Sequence, residues 1–309
     1  MNKLLNSIYC ISVVLFFGCS SDKNKDVGEL GRFDISNDGK FIIYSWLEGE
    51  KSSIYRVDID GKNVKLLINS SDNISYFNPS CSSVDEQIIL VGYSPKSLKS
   101  SLWISNIFGE KLKQITDSST LKLEATFSVD GESIYYTQAN EYTGNSPIGR
   151  RAAHDFDVYE LKPKSFETKK ITNLNSYQIT NILDIDSSQM LLTINDQDRG
   201  IFFLEKRSGN LSKIQTLNDT LRNSTGYSNP VLLNNNYVVC SSYYELAQID
   251  LKKKIEKIIL PSSGVHFKQI RYNKLLNSIF FIKQGSNIIY RLNVDGTDLK
   301  EIEMNASIR

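Results

Sequence analysis

One repeating unit dominates this chain and restricts its fold more than any other feature. From Phe33 onward a block of roughly 40–55 residues recurs. Each block is a strand, a tight turn and an apolar strand, followed by another apolar strand, a second turn and a short strand rich in Lys and Ile. The clearest copy runs from Phe33 to Ile68. In it Asn37-Asp38-Gly39 supplies residues that tolerate the positive φ of a hairpin turn, Phe41-Ile42-Ile43-Tyr44 reads as a buried strand, and Ile54 to Ile59 alternates apolar with polar. Further copies span Phe77–Thr116, Ala125–Thr172, Ile182–Leu217, Asn229–Leu260 and Phe267–Met304. Four strands per copy and six copies predict an all-β chain: a six-bladed β-propeller of four-stranded antiparallel blades, in which ring closure removes most exposed edges. An open solenoid would need polar capping repeats, whereas the end copies here are as complete as the middle ones.

Ahead of the repeats, residues 1–19 read MNKLLNSIYCISVVLFFGC. Lys3 gives a positive start, and Leu4 to Phe17 is mostly apolar but short for a membrane-spanning helix. The segment Leu15-Phe16-Phe17-Gly18-Cys19 resembles the bacterial lipobox, although Phe16 and Phe17 stand where small or aliphatic residues are usual. That resemblance implies removal of residues 1–18, three acyl chains on Cys19 and a stable membrane anchor; an uncleaved signal anchor is the alternative. Ser20 to Asp26 is polar and suits a flexible tether. The expected organisation is a signal peptide over 1–18, the lipidated Cys19 and its tether over 19–29, the propeller over 30–304 and a tail over 305–309. Cys81 and Cys240 are the only cysteines left in the folded part, and their repeats, the second and fifth, lie on opposite sides of a ring. No bridge between them is expected.

The set Ser-x-Asp-Gly, apolar strand-Asp-Gly and apolar-Thr is carried by Ser36-Asn37-Asp38-Gly39, Ser128-Val129-Asp130-Gly131, Asp58-Ile59-Asp60-Gly61, Val294-Asp295-Gly296, Gln114-Ile115-Thr116 and Lys170-Ile171-Thr172. It resembles the TolB-type propeller repeat, a relative of the WD repeat found in bacterial cell-envelope proteins. The resemblance covers about residues 30–304. It departs from the pattern at Asn37 and Val129, where Pro is usual. TolB also carries a separate α/β domain ahead of its propeller, for which there is no room between Cys19 and Phe33. Similar propellers gate prolyl-oligopeptidase-type hydrolases and build oligogalacturonate lyases; no G-x-S-x-G stretch is present.

Chemistry-bearing residues are sparse. Lys and Arg number 36 against 35 Asp and Glu, a net charge of +1, so no basic field exists to hold nucleic acid. The two histidines, His154 and His266, sit in no metal-ligand spacing, and neither a metal, a cofactor nor a catalytic set is expected. The third repeat carries an insertion, Ala139 to Asp155, read as a long loop between its second and third strands, and such loops on rigid scaffolds are where binding resides. It holds Tyr142, Arg150, Arg151 and His154, and Arg suits carboxylates and phosphates. A solvated loop with its arginines paired to nearby acids is the alternative. A shorter insertion, Gly92 to Ser100, stands at the equivalent place in the second repeat, so Tyr93 and Tyr142 should share a rim. The ligand-binding candidates are therefore Tyr93, Tyr142, Arg150, Arg151 and His154. The expected function is that of a membrane-anchored envelope lipoprotein, outside the cytoplasm and more in keeping with the outer membrane than the inner, whose propeller binds a protein or glycan partner. A polysaccharide lyase or sugar-binding protein using the propeller funnel, with His154 beside Arg150 or Arg151, is the alternative.

Overall fold

The computed structural model describes residues 28–144, 151–217, 226–262 and 264–305. The described residues form strands and their connecting turns, in six four-stranded antiparallel sheets. Blade 1 comprises β1 (Glu29–Ile35), β2 (Phe41–Glu48), β3 (Lys51–Asp58) and β4 (Lys65–Ile68). Blade 2 comprises β5 (Ser75–Cys81), β6 (Gln87–Ser94), β7 (Lys99–Asn106) and β8 (Lys113–Gln114). Blade 3 comprises β9 (Lys122–Phe127), β10 (Ile134–Gly144), β11 (Arg151–Lys162) and β12 (Glu167–Lys170). Blade 4 comprises β13 (Ile179–Asp184), β14 (Gln189–Ile194), β15 (Gly200–Glu205) and β16 (Leu211–Lys213). Blade 5 comprises β17 (Tyr227–Asn234), β18 (Tyr237–Ser242), β19 (Glu245–Asp250) and β20 (Ile255–Leu260). Blade 6 comprises β21 (Phe267–Asn273), β22 (Ser278–Lys283), β23 (Ile288–Asn293) and β24 (Lys300–Glu303). Strand order follows the chain in every sheet, so each blade is built from one continuous segment.

The turn motifs work locally. In blade 1 the Ser36 hydroxyl donates to Asp38 (2.7 Å) and accepts from the Phe41 amide (2.9 Å), while Asp38 accepts from the Lys40 amide. Ser128 and Asp130 repeat the arrangement in blade 3 with the amides of Ser133 and Glu132. Gly39 and Gly131 take φ of 70° and 74°, a region that glycine enters without steric penalty. The apolar-Thr motif has a different task. Thr116 and Thr172 accept the amides of Leu102 and Val158 at 2.8 and 3.0 Å, which prolongs the ladder past the outer strand.

Middle strands such as Ile42-Ile43-Tyr44 and Ile88 to Val91 are apolar without alternation because both their faces are covered. Six apolar clusters fill the six seams between neighbouring blades. The cluster holding Phe33, Ile42 and Tyr44 of blade 1 with Phe280, Ile289 and Ile302 of blade 6 closes the ring. Polar contacts reinforce that seam. The Gln269 side chain bonds both the amide and the carbonyl of Phe33. Asn287 accepts the Leu30 amide with its side-chain oxygen, donates from its side-chain nitrogen to the Gly28 carbonyl, and accepts the Met304 amide at its backbone carbonyl. Tyr44 donates its hydroxyl to the Asn305 carbonyl. Cys81 and Cys240 are free thiols in blades 2 and 5. Among the described residues no helix is long and apolar enough to cross a membrane.

Blade 3 corrects one expectation. Residues 139–144 and 151–156 are not loop: they extend the β10–β11 hairpin, with Glu141 opposite His154, Tyr142 opposite Ala153 and Gly144 opposite Arg151. The stretch from Tyr93 to Ser100 in blade 2 is likewise a hairpin end, with Tyr93 paired to Ser100 and a turn closed by the Leu98 amide on the Ser94 carbonyl. Antiparallel pairing satisfies backbone groups that a loop would leave to solvent, and this outweighs the glycines and polar residues that read as breakers.

Candidate functional site

The first strands of the six blades line the axis. Each is bulged at the same place: between Leu30 and Phe33, Phe77 and Ser80, Lys122 and Ala125, Thr180 and Leu183, Ser228 and Val231, and Lys268 and Ile270. A bulge bends the strand and re-aims a side chain. The equivalent bulge residues are Arg32, Asn78, Glu124, Asn181, Asn229 and Gln269, all polar. Four of them, Asn78, Asn181, Asn229 and Gln269, have φ between 40° and 53°, which Asn tolerates better than most residues.

Three of these side chains staple their blade to the next. Asn78 donates to the Leu123 carbonyl, Asn229 to the Phe267 carbonyl, and Gln269 grips Phe33 as described. Asn181 breaks the pattern: its nitrogen meets the Thr180 hydroxyl, and its buried Oδ1 has no protein partner among the described residues. Arg32 and Glu124 reach past blade 2 to each other, with Arg32 Nη1 at 2.6 Å from both carboxylate oxygens. Two residues further along β1, Asp34 accepts the Cys81 amide and pairs with Arg271 at 3.2 Å.

Above this ring lies a cavity of about 340 Å³. Its walls come from the starts of the inner strands and from the turns between second and third strands of blades 1, 2 and 6: Leu30, Leu47, Phe77, Val91, Tyr93 and Leu121 are apolar, while Arg32, Glu124 and Lys268 supply charge. An apolar concavity with a few convergent polar groups is the usual form of a binding site. Burial pushes the Lys268 ammonium below its ordinary range, opposed by nearby Glu29. Burial also raises the Tyr93 phenol, with a further contribution from Tyr142. Phe77 packs edge-on to Tyr93 with centroids 6.4 Å apart.

The structure therefore brings Tyr93 and Tyr142 to one rim, with Tyr142 46% exposed. His154 is committed elsewhere. Its Nδ1 lies 2.9 Å from Asp155 Oδ1 and its Nε2 2.7 Å from Thr143 Oγ1, so both ring nitrogens tie down its own hairpin. Arg151 is described through its backbone pairing alone, while Arg150 and Cys19 lie outside the described residues. No group of three or more His, Cys, Asp or Glu residues able to hold a metal occurs among the described residues. The channel ring escaped sequence reasoning. The repeated pairs Asn78-Pro79 and Asn229-Pro230, at matching places in two blades, were its one visible sign.

This architecture is a six-bladed propeller, and its fold is similar to that of TolB. TolB from Acinetobacter baumannii superposes with a TM-score of 0.63 at 15% identity, over 87% of this chain and 66% of that one. An oligogalacturonate lyase in complex with manganese gives 0.59 at 9% identity over 90% and 78%. A prolyl endopeptidase gives 0.54 at 11% identity over 91% of this chain. The match thus spans less than two thirds of the TolB chain and 43% of the endopeptidase. At these identities the likeness is one of fold. No protein-family model and no curated protein sequence matches the chain.

Proposed function

We propose that this protein is a lipid-anchored cell-envelope component whose propeller binds an envelope partner, protein or glycan, on the face that carries the axial cavity, and performs no chemistry of its own. The observation that carries this reading is the coincidence on one face of three features: the apolar cavity, the aromatic wall of Phe77 and Tyr93, and the projecting β10–β11 hairpin with Tyr142 exposed. Rigid aromatic side chains of this kind bury large area at low entropic cost, which is why they anchor binding surfaces. The leader ending in Cys19 supports the anchor and the position outside the cytoplasm.

Affinity capture from solubilised envelopes tests the reading. The wild-type chain should retain one dominant partner, and Tyr93→Ala combined with Tyr142→Ala should lose it while the thermal midpoint stays within a few degrees. Capture unchanged by the double substitution would refute the assignment of this face. The lyase alternative asks His154 to act as a base, for which it would have to leave Thr143. Product release from polyuronides that disappears in His154→Ala would favour that alternative over pure binding.

A further inference from the structure

The turn joining β18 to β19 breaks a local rule. Two-residue hairpin turns favour Asn and Gly because they need positive φ. Here the two residues are Tyr243 and Tyr244, and Tyr243 adopts φ of 52°. A bulky residue in the left-handed region is strained, and such strain persists where the surroundings or the function hold it in place. The surroundings are specific. The Tyr243 amide donates to the Gly226 carbonyl, and its ring lies against Gly226 so closely that a Cβ there would sit 2.6 Å from the ring. Tyr244 packs on the His266 ring at a centroid distance of 4.5 Å, and His266 Nδ1 is 3.3 Å from the Tyr243 carbonyl. Both tyrosines nevertheless stay open, at 44% and 42% exposure.

We propose that Tyr243, Tyr244 and His266 form a stacking platform for a neutral pyranose of an envelope glycan. The proposal rests on reading the cavity-bearing face as the binding face, which this turn shares, and it names the ligand class at the corner of blades 5 and 6. Three properties select a sugar. The two half-open rings offer roughly 150–200 Å², far below the ~800 Å² per partner of a stable protein interface, yet enough for one or two pyranose faces. Their negative ring faces attract the polarised C–H groups of an equatorially substituted sugar, and the Tyr244 hydroxyl can hydrogen-bond its rim. The platform is rigid before binding, so little ordering entropy opposes it. The same negative ring faces disfavour the carboxylate of an acidic sugar.

The test is calorimetric titration of the full chain with cellotetraose and chitotetraose, with tetragalacturonate as the charged comparator. A neutral tetramer should bind and the charged one should not. Tyr244→Ala and Tyr243→Gly should each weaken binding about ten-fold or more, while Tyr244→Phe keeps it within a few-fold. Tyr243→Gly also relieves the left-handed strain, so its thermal midpoint should equal or exceed that of the wild type. Failure of both neutral tetramers to bind, binding unaltered in the alanine and glycine variants, or a lowered midpoint in Tyr243→Gly would each overturn the platform. Partner capture read with Tyr93→Ala is a separate measurement. If it stands while no oligosaccharide binds, the platform alone is wrong; if it fails while oligosaccharides bind, the cavity reading alone is wrong.

Discussion

Asp157 shows how one buried charge is made tolerable. It is fully buried in β11, and its carboxylate accepts the Thr172 hydroxyl, the Leu174 amide, the Asn140 side-chain amide and the Lys170 ammonium, all within 2.9 Å. Every lone pair is used, so desolvation is offset. Asp157→Ala strands four donors at once and should destabilise the protein by about 3 kcal/mol or more in urea unfolding. Removing the exposed pair of Lys164 and Glu132, 82% and 58% accessible, should change stability by less than about 1 kcal/mol. Residue-level features of this kind were half legible. The Ser-x-Asp-Gly turns were readable because their hydrogen bonds close within a few residues. The channel ring was not, because Arg32, Asn78, Glu124 and Gln269 differ in type and act on backbone or charge in another blade.

At the scale of elements the informative case is the β10–β11 hairpin. Sequence spacing located the extra residues in blade 3, but glycine and polar content read as loop where pairing continues through Gly144 and Arg151. The hairpin is held by its own contacts, such as His154 with Thr143 and Asn140 with the Asp155 carbonyl. Among the described residues of 141–154, Ala153 alone joins a buried cluster, so the blade loses little without this stretch. Replacing residues 141–154 by Asn-Gly between Asn140 and Asp155 gives a two-residue turn of favoured type. The shortened protein should keep its strand content by circular dichroism and melt within a few degrees of wild type, while partner capture falls. A large loss of stability would mean that the projecting part is structural.

For the whole molecule, the repeat count and the ring were legible because each blade owns its four consecutive strands and repeats the same pattern. How the ring is latched was not, since Asn287, Gln269 and Tyr44 make their contacts across nearly the full length of the chain. With no strand shared between the first and last blades among the described residues, the seam between them is like any other: an apolar cluster plus a few side-chain staples. A circular permutant opened between the exposed Asp72 and Asn73, with Asn305 joined to Gly28 by a short linker, should therefore form the same ring and unfold within about 5 °C of the parent. Failure to fold would show that closure at blades 1 and 6 is special.

The grip of Asn287 on Gly28 and Leu30 has a geometric consequence for the proposed anchor. The chain enters the ring at the rim of the cavity, where Glu29 and Leu30 form part of the wall. From Cys19 to that point the backbone can reach at most roughly 35–40 Å. A lipid on Cys19 would thus act as a short leash fastened beside the opening, keeping the cavity rim within that distance of the bilayer surface. Molecules lying close against that membrane would meet the opening first.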